Sequence, residues 1–290
     1  MDDFSAQLIW QGTINGLALG GVYVLMALGL TLIFGIMRIM QFAHGEVYML
    51  GAYVVYYLTK SFGFNLFAAI LASMVAMGIL GLLIERFILR PLKGELFPPI
   101  VAMTGLIFVL QSGALAWFGI YEKSLPRLAQ GHFDVLGSVV PQSRVIALAC
   151  AVVLIALLYL FLKGSKYGQA MVASAQNPQG AVLQGISPDQ MSAISMFIAS
   201  ALAAAAGALA GSLFALSPFM GTLTLIKGMT IIVLGGMGSL LGVVVGAIIL
   251  GLIDGIVPMF LNATLTPILS LIIVILILLF RPQGLFGQES

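Results

Sequence analysis

Charge is what this sequence has least of. Only 8% of its 290 residues are Asp, Glu, Lys or Arg, against roughly 25% in a soluble domain. Twelve Lys and Arg with ten Asp and Glu cannot coat a chain of this size with water-compatible groups, so a water-soluble globule is excluded. Disorder is excluded as well, because it requires low hydrophobicity and 61% of the residues are hydrophobic. The formal net charge of +2 is small and dispersed, which removes nucleic-acid binding through a basic face. The single cysteine, Cys150, lies in an apolar run and has no second thiol for an internal disulfide.

Chemical motifs are missing too. No segment reads G-x-x-x-x-G-K-S/T, the loop that cradles nucleotide phosphates. No Cys/His cluster has metal-ligand spacing, and no nucleophile stands beside a base on a defined loop. His44 with Glu46 comes nearest, but at i, i+2 the two point to different helix faces. Catalysis, a bound metal and a cofactor are therefore not expected.

What the sequence has is uncharged length. A transmembrane helix takes about 20 mostly apolar residues. Between charges the chain leaves Phe4–Met37, Ser61–Ile84, Leu96–Tyr121, Val145–Leu162, Gln190–Ile226, Gly228–Ile253 and Gly255–Phe280. Phe4–Met37 and Gln190–Ile226 exceed one crossing, so each is expected to hold a turn or a re-entrant piece. A β-barrel would alternate in segments of about ten residues, and solid runs such as Ile268–Phe280 do not. The expected fold class is an all-α integral membrane protein, a polytopic bundle of about nine (8–10) transmembrane helices. It forms one transmembrane domain over residues 1–290, with an outer loop at 122–144 and an inner loop at 163–189.

Between Arg38 and Lys60, Glu46–Thr59 is too short to cross alone. Starting at Ile39 brings Gln41, His44, Gly45 and Glu46 into the span. A broken or partly re-entrant helix is expected, its irregular backbone buried in protein. Placing Arg86, Arg90 and Lys93 inside puts Lys163, Lys166, Arg38 and Arg281 inside as well. Lys60, Lys123, Arg127 and Arg144 then lie outside with Asp2, Asp3, Glu122 and Asp134, and Lys227 stays within the membrane. The acidic Met-Asp-Asp start lacks a signal-peptide n-region, so the N-terminus is expected outside and the C-terminus inside.

The outer loop carries Pro126, Gly131, Gly137 and Pro141 as turn formers. The inner loop predicts a short helix over Gly168–Gln176, a break at Asn177-Pro178, and a second short helix over Gln179–Gln184 ended by Gly185. Its apolar residues fit docking into another protein's groove; a connector lying on the bilayer is the alternative. No segment is large enough for an extramembrane domain, so any energy supply must come from elsewhere.

Gly12, Gly16 and Gly20 recur every four residues, as do Gly238, Gly242 and Gly246. Such ladders let helix backbones approach closely, through static packing or as traces of an internal repeat. Glu46, Lys227 and Asp254 fall at hydrocarbon depth, where charges must pair or face a cavity. They mark either a polar path or gate, or a structural ion pair and a snorkelling lysine. His44 reads as a proton relay or as a satisfied hydrogen-bonding residue.

Several strings are more specific. Asn15-Gly16-Leu17, Gly20-Gly21-Val22-Tyr23, the run Ala27–Gly35, Gln41–Glu46 (QFAHGE), Tyr48–Tyr53 (YMLGAY), the loop Gly168–Ile186 and Val233–Ser239 (VLGGMGS) resemble one permease family. It is the branched-chain amino acid permeases of bacterial ATP-binding-cassette importers, in their shorter H-type form, and the resemblance runs from about Asn15 to Gly287. It implies an inner-membrane subunit that pairs with a second, M-type permease. Two cytoplasmic ATPases and a periplasmic solute-binding protein complete the importer, with the lipid bilayer as solvent.

Candidate pathway or gate residues are Asn15, Tyr23, Phe42, His44, Glu46 and Lys227. The inner loop, with Gly168, Ala170, Ala173, Asn177, Pro178, Ala181 and Gly185, resembles the segment that docks on the ATPase. Val172 and Gln179 stand where relatives carry Arg and an acidic residue, which favours docking by shape and apolar contact. The cargo implied is a branched-chain or other hydrophobic amino acid, although relatives carry urea and short amides. A secondary transporter using Glu46 and Asp254 as ion-coupling carboxylates is the competing class; a passive channel lacks a filter string.

Overall fold

A computed structural model describes residues 2–286 apart from 96, 127, 130, 136–137, 262–264 and 282. Leu96, Arg127, Gly137 and Gly287, used in the sequence argument above, lie outside the described residues. The chain is helical almost throughout: α1 (Asp2–Met37), α2 (His44–Lys60), α3 (Leu66–Ile84), α4 (Phe97–Phe118), α5 (Gln142–Gly164), α6 (Lys166–Gln176), α7 (Pro178–Leu183), α8 (Pro188–Leu213), α9 (Met220–Gly235), α10 (Leu240–Phe260) and α11 (Thr266–Phe280). Helices α1, α3, α4, α5, α8 and α10 are long and apolar enough to cross a membrane. At 1.5 Å per residue, α2, α9 and α11 rise only about 22–26 Å. This is the expected all-α polytopic class.

Two expectations about the long runs part company. Gln190–Ile226 does divide, into α8 and α9 with a turn between them. Phe4–Met37 does not: α1 is one continuous helix of 36 residues. It contains no proline, and its glycines are backed by a neighbouring backbone instead of opening a break. A Cβ on Gly16 would stand 2.7 Å from Leu252 Cα and 2.8 Å from Gly251 O; one on Gly12 would meet Ile256 Cα at 3.0 Å. At Gly20 the gap to Ile248 Cα relaxes to 3.3 Å. Thus α1 and α10 lie backbone against backbone.

The late ladder is split by the structure. Gly242 abuts the carbonyl of Gly235 on α9, and Gly246 lies near Ile231 O of the same helix. Gly238 is not a rung: it precedes α10 in a turn, with φ +91° and open space around it. Its role is the left-handed backbone that the turn requires. Helix α10 therefore carries two small-residue stripes, Gly242 and Gly246 toward α9, and Ala247, Gly251 and Gly255 toward α1.

The break after α1 is built locally. Arg38 takes φ 53°, a left-handed conformation that ends helices. The Gln41 side chain then accepts from the Ala43 amide at 3.1 Å, and α2 begins at His44. Gln41, Ala43 and His44 are buried, so the end of this irregular segment is shielded by protein, while Arg38 and Met40 at its start are exposed.

The same break recurs. Met37 and Leu213 end α1 and α8, His44 and Met220 begin α2 and α9, and Ile84 and Phe260 end α3 and α10. Each pair is 176 residues apart (213 − 37, 220 − 44, 260 − 84). Packing follows the same pairing: α1 lies on α10 as α8 lies on α3, and α2 meets α9. An internal repeat is present, but the glycine ladders do not mark it.

Helix α8 is the central rod. Eighteen of its 26 residues are buried, most of them Ala, Ser or Gly, and α1, α2 and α3 pack around it. Helix α4 is the opposite case, with only Pro99, Met103 and Ala114 buried. The outer loop contains what turn residues alone did not announce, an antiparallel hairpin of β1 (His132–Val135) and β2 (Ser138–Pro141). Four-residue strands are too short to show a clear alternation.

Candidate functional site

The six candidate pathway residues fall into two groups. In the first, Tyr23 on α1 donates to Asp254 Oδ2 on α10 at 2.7 Å, and Lys227 Nζ on α9 pairs with the same oxygen. Ser270 on α11 donates to Asp254 Oδ1 at 3.0 Å. The ammonium also lies 5.6 Å from the Tyr23 ring centroid. The Asp254 side chain is only 8% exposed. Lys227 is thus ion-paired and does not snorkel to a helix end. Asn15 lies nearby, lining a cavity of about 140 Å³ with Arg144, Phe214 and Asp254.

The second group surrounds the start of α2. Gly45 and Gly221 touch backbone to backbone, so that a Cβ on either would overlap the other's carbonyl. This contact brings the first turns of α2 and α9 together. His44 is fully buried, its Nε2 2.9 Å from where a Cβ on Gly29 would stand; only glycine at 29 leaves room for the ring. The ring lies beside the backbone of Met26 on α1. Glu46 is 1% exposed; Thr222 of α9 lies beside its carboxylate, while Oε2 has no partner. Gln111 Nε2 on α4 donates to Thr222 Oγ1 at 3.3 Å. Phe42 is half-buried in the turn before α2.

The inner loop folds as its residues predict. Ser165 caps α6 by accepting from Gly168 N at 2.9 Å. A Cβ on Gly168 would meet Leu162 Cα at 2.6 Å, so glycine there lets α6 fold back on α5. Asn177 Oδ1 caps α7 through Gly180 N at 2.9 Å, Pro178 occupies the first turn, and Gly185 has φ +79°. Ala170 and Ala173 are half-buried on α6. Ala181 requires a correction: it is 6% exposed, its carbonyl accepts from Ile186 N, and it seats α7 instead of offering a contact. On α7 the exposed apolar side chains are Val182 and Leu183, the latter 85% exposed, and on α6 Tyr167 is exposed as well.

Beside α7 opens a cavity of about 640 Å³, bounded by Arg38, Glu85, Arg90, Lys93, Gln179 and Val182 among others. Here α3 continues into a π turn over Glu85–Leu89. Arg90 grips Glu85 with two hydrogen bonds, 3.1 and 2.8 Å, and reaches Asp189 O at 3.3 Å. Lys93 pairs with the Asp189 carboxylate at 2.6 Å. The bidentate grip on the buried Glu85 is the stronger element; the exposed Lys93 pair contributes little. Sequence spacing gave no sign of this link between α3 and α8, nor of Ser270 in the first group.

A polytopic bundle of long apolar helices, with Lys227 paired to Asp254 inside it, defines the class of multi-pass membrane proteins. Residues 12–280 match the family described as branched-chain amino acid transport system / permease component, and the chain belongs to this family. It is 32% identical to the high-affinity branched-chain amino acid transport system permease protein BraD of Pseudomonas aeruginosa, covering 97% of this chain and 96% of that protein. It is 31% identical to LivH of Escherichia coli K12, over 97% and 96% of the two chains. LivM of the same organism, also a permease protein of such a system, is 24% identical over 96% of this chain and 71% of its own length. The chain is a multi-pass inner-membrane permease component.

Proposed function

We propose that this chain is the H-type permease of an ATP-driven importer and moves branched-chain amino acids. The observation that carries this reading is similarity along nearly the whole chain to two permeases named for that transport. A second, M-type permease completes the membrane unit. Two cytoplasmic ATPases dock on the loop at 163–189, where Val182 and Leu183 are the exposed apolar contacts. A periplasmic solute-binding protein delivers cargo to the face that carries the β1–β2 hairpin. The N-terminus lies on that periplasmic side and the C-terminus in the cytoplasm, as the distribution of Lys and Arg favours.

The test is reconstitution. Tagged protein, purified from its native membrane, should co-purify with two ATPase subunits and a second permease. In liposomes, that complex should take up labelled leucine, isoleucine or valine only with ATP and the binding protein. Uptake driven by an ion gradient in a solitary homo-oligomer would refute the proposal.

A further inference from the structure

The polar groups around Glu46 stand where lipid would otherwise be. Helix α2 runs from the Gly45–Gly221 contact toward the hairpin end, where Tyr57 accepts from Lys123 of the outer loop. Helix α9 runs from the same contact toward the inner loop, whose Met171 and Gln176 share a cavity with Ser239, just past its end. The contact therefore lies in the middle of the bundle. Thr222 is exposed there and Gln111 half-exposed, on a face that α4 covers only thinly. Hydrocarbon offers such groups no hydrogen bonds, so a polar face at this depth borders protein or a water-filled path.

Beneath Thr222 sits a carboxylate with one oxygen unpartnered although the residue is 99% buried, its exposure being 1%. Two helix N-termini meet beside it, an arrangement that stabilises negative charge. The half-buried ammonium of Lys227 is committed to Asp254 in the other group. Glu46 Oε2 is thus an unanswered acceptor sealed just behind the exposed Thr222, and no cation of this group pairs with it.

Resting on the functional reading above, we propose that Glu46 binds the α-ammonium of the amino-acid cargo as it passes between this chain and the second permease. Thr222 and Gln111 are the neutral flanks of that subsite. An ammonium supplies three donors, one of which satisfies Oε2. A cargo that lacks an ammonium would gain far less from this contact.

The experiment uses the complete importer in liposomes, with labelled leucine as probe and the binding protein saturating. Glu46→Gln keeps the shape and one acceptor oxygen but removes the charge. Uptake should fall about ten- to a hundredfold, the range expected for losing one charge-assisted hydrogen bond, with the complex still assembled. Glu46→Asp should recover part of the rate, and Thr222→Val should lose only a few-fold. Gln111→Lys, on the thinly covered helix, should inhibit uptake by tethering a competing ammonium beside Glu46. Uptake within twofold of wild type in assembled Glu46→Gln overturns the proposal. If that variant does not assemble, undiminished uptake in Gln111→Lys overturns it instead. A wild-type complex that moves no amino acid overturns the functional reading itself, and this one with it.

Discussion

Replacing Gly16 by alanine tests the backbone contact between α1 and α10 with a single methyl group. The added Cβ would lie 2.7 Å from Leu252 Cα and 2.8 Å from Gly251 O, about 0.8 Å short of ordinary carbon contact near 3.5 Å. Both neighbours are main-chain atoms inside α10, so no rotamer change gives way. The helices must part, and Gly12 and Gly20 lose their contacts in the same movement. Overpacking of this kind costs about 1–3 kcal/mol, less the fraction of a kcal/mol by which alanine favours a helix over glycine. The contacts grade the series: Gly12→Ala, at 3.0 Å, should cost less, and Gly20→Ala, at 3.3 Å, least. Gly105→Ala and Gly113→Ala on α4, with nothing within 4 Å, should be neutral or stabilising. Thermal unfolding of the detergent-solubilised protein, followed by Trp fluorescence, reads the order directly. A Gly16→Ala protein as stable as Gly105→Ala would show that α1 and α10 are not in close contact.

The buried pair should behave as a unit. Lys227→Met alone should destabilise by about 3–5 kcal/mol by leaving Asp254 uncompensated, whereas Lys227→Met with Asp254→Asn should cost much less; a double-mutant cycle on unfolding free energy measures the difference. Leu183→Asp should abolish ATPase docking and uptake while leaving the permease folded, and wild-type docking should survive 1 M salt, where the Debye length is about 3 Å; co-purification at high and low salt checks both. Gly242→Leu should push α10 off Gly235 of α9 and sharply lower the yield of folded protein, read by size-exclusion chromatography.

How much of this was legible in the sequence depended on whether the signal was local. The boundaries of α6 and α7 were readable because Asn177-Pro178 and Gly185 act on the backbone within a few residues. The break before α2 was readable from the short apolar stretch that His44 and Glu46 interrupt. Length alone misjudged α1, since an uncharged run does not say whether its glycines bend a helix or pack it. Gly238 was misassigned for a related reason: four-residue spacing is the same in a turn and on a helix face. Contacts between distant segments were invisible. Tyr23 and Asp254 are 231 positions apart, and no spacing rule connects them or brings in Ser270. Ala181 looked available because nothing in a six-residue helix says which side faces the bundle.

The make-up of α8 also bears on how the bundle moves. A surface built of leucines interlocks with its neighbours, and sliding one helix along another then requires many side chains to change rotamer together. Alanine and glycine have no such rotamers to reorder, and no side-chain freedom to lose or regain. Over Ala199–Ser212, α8 presents chiefly methyl groups, hydroxyls and bare backbone to α1, α2 and α3. Neighbours can therefore shear along it by small steps, between registers set by the close seats of Gly51 on Ala204 and of Gly207 on the Tyr48 carbonyl. The stretch works as a smooth bearing, with friction concentrated at its end, where Arg90 and Lys93 hold Asp189.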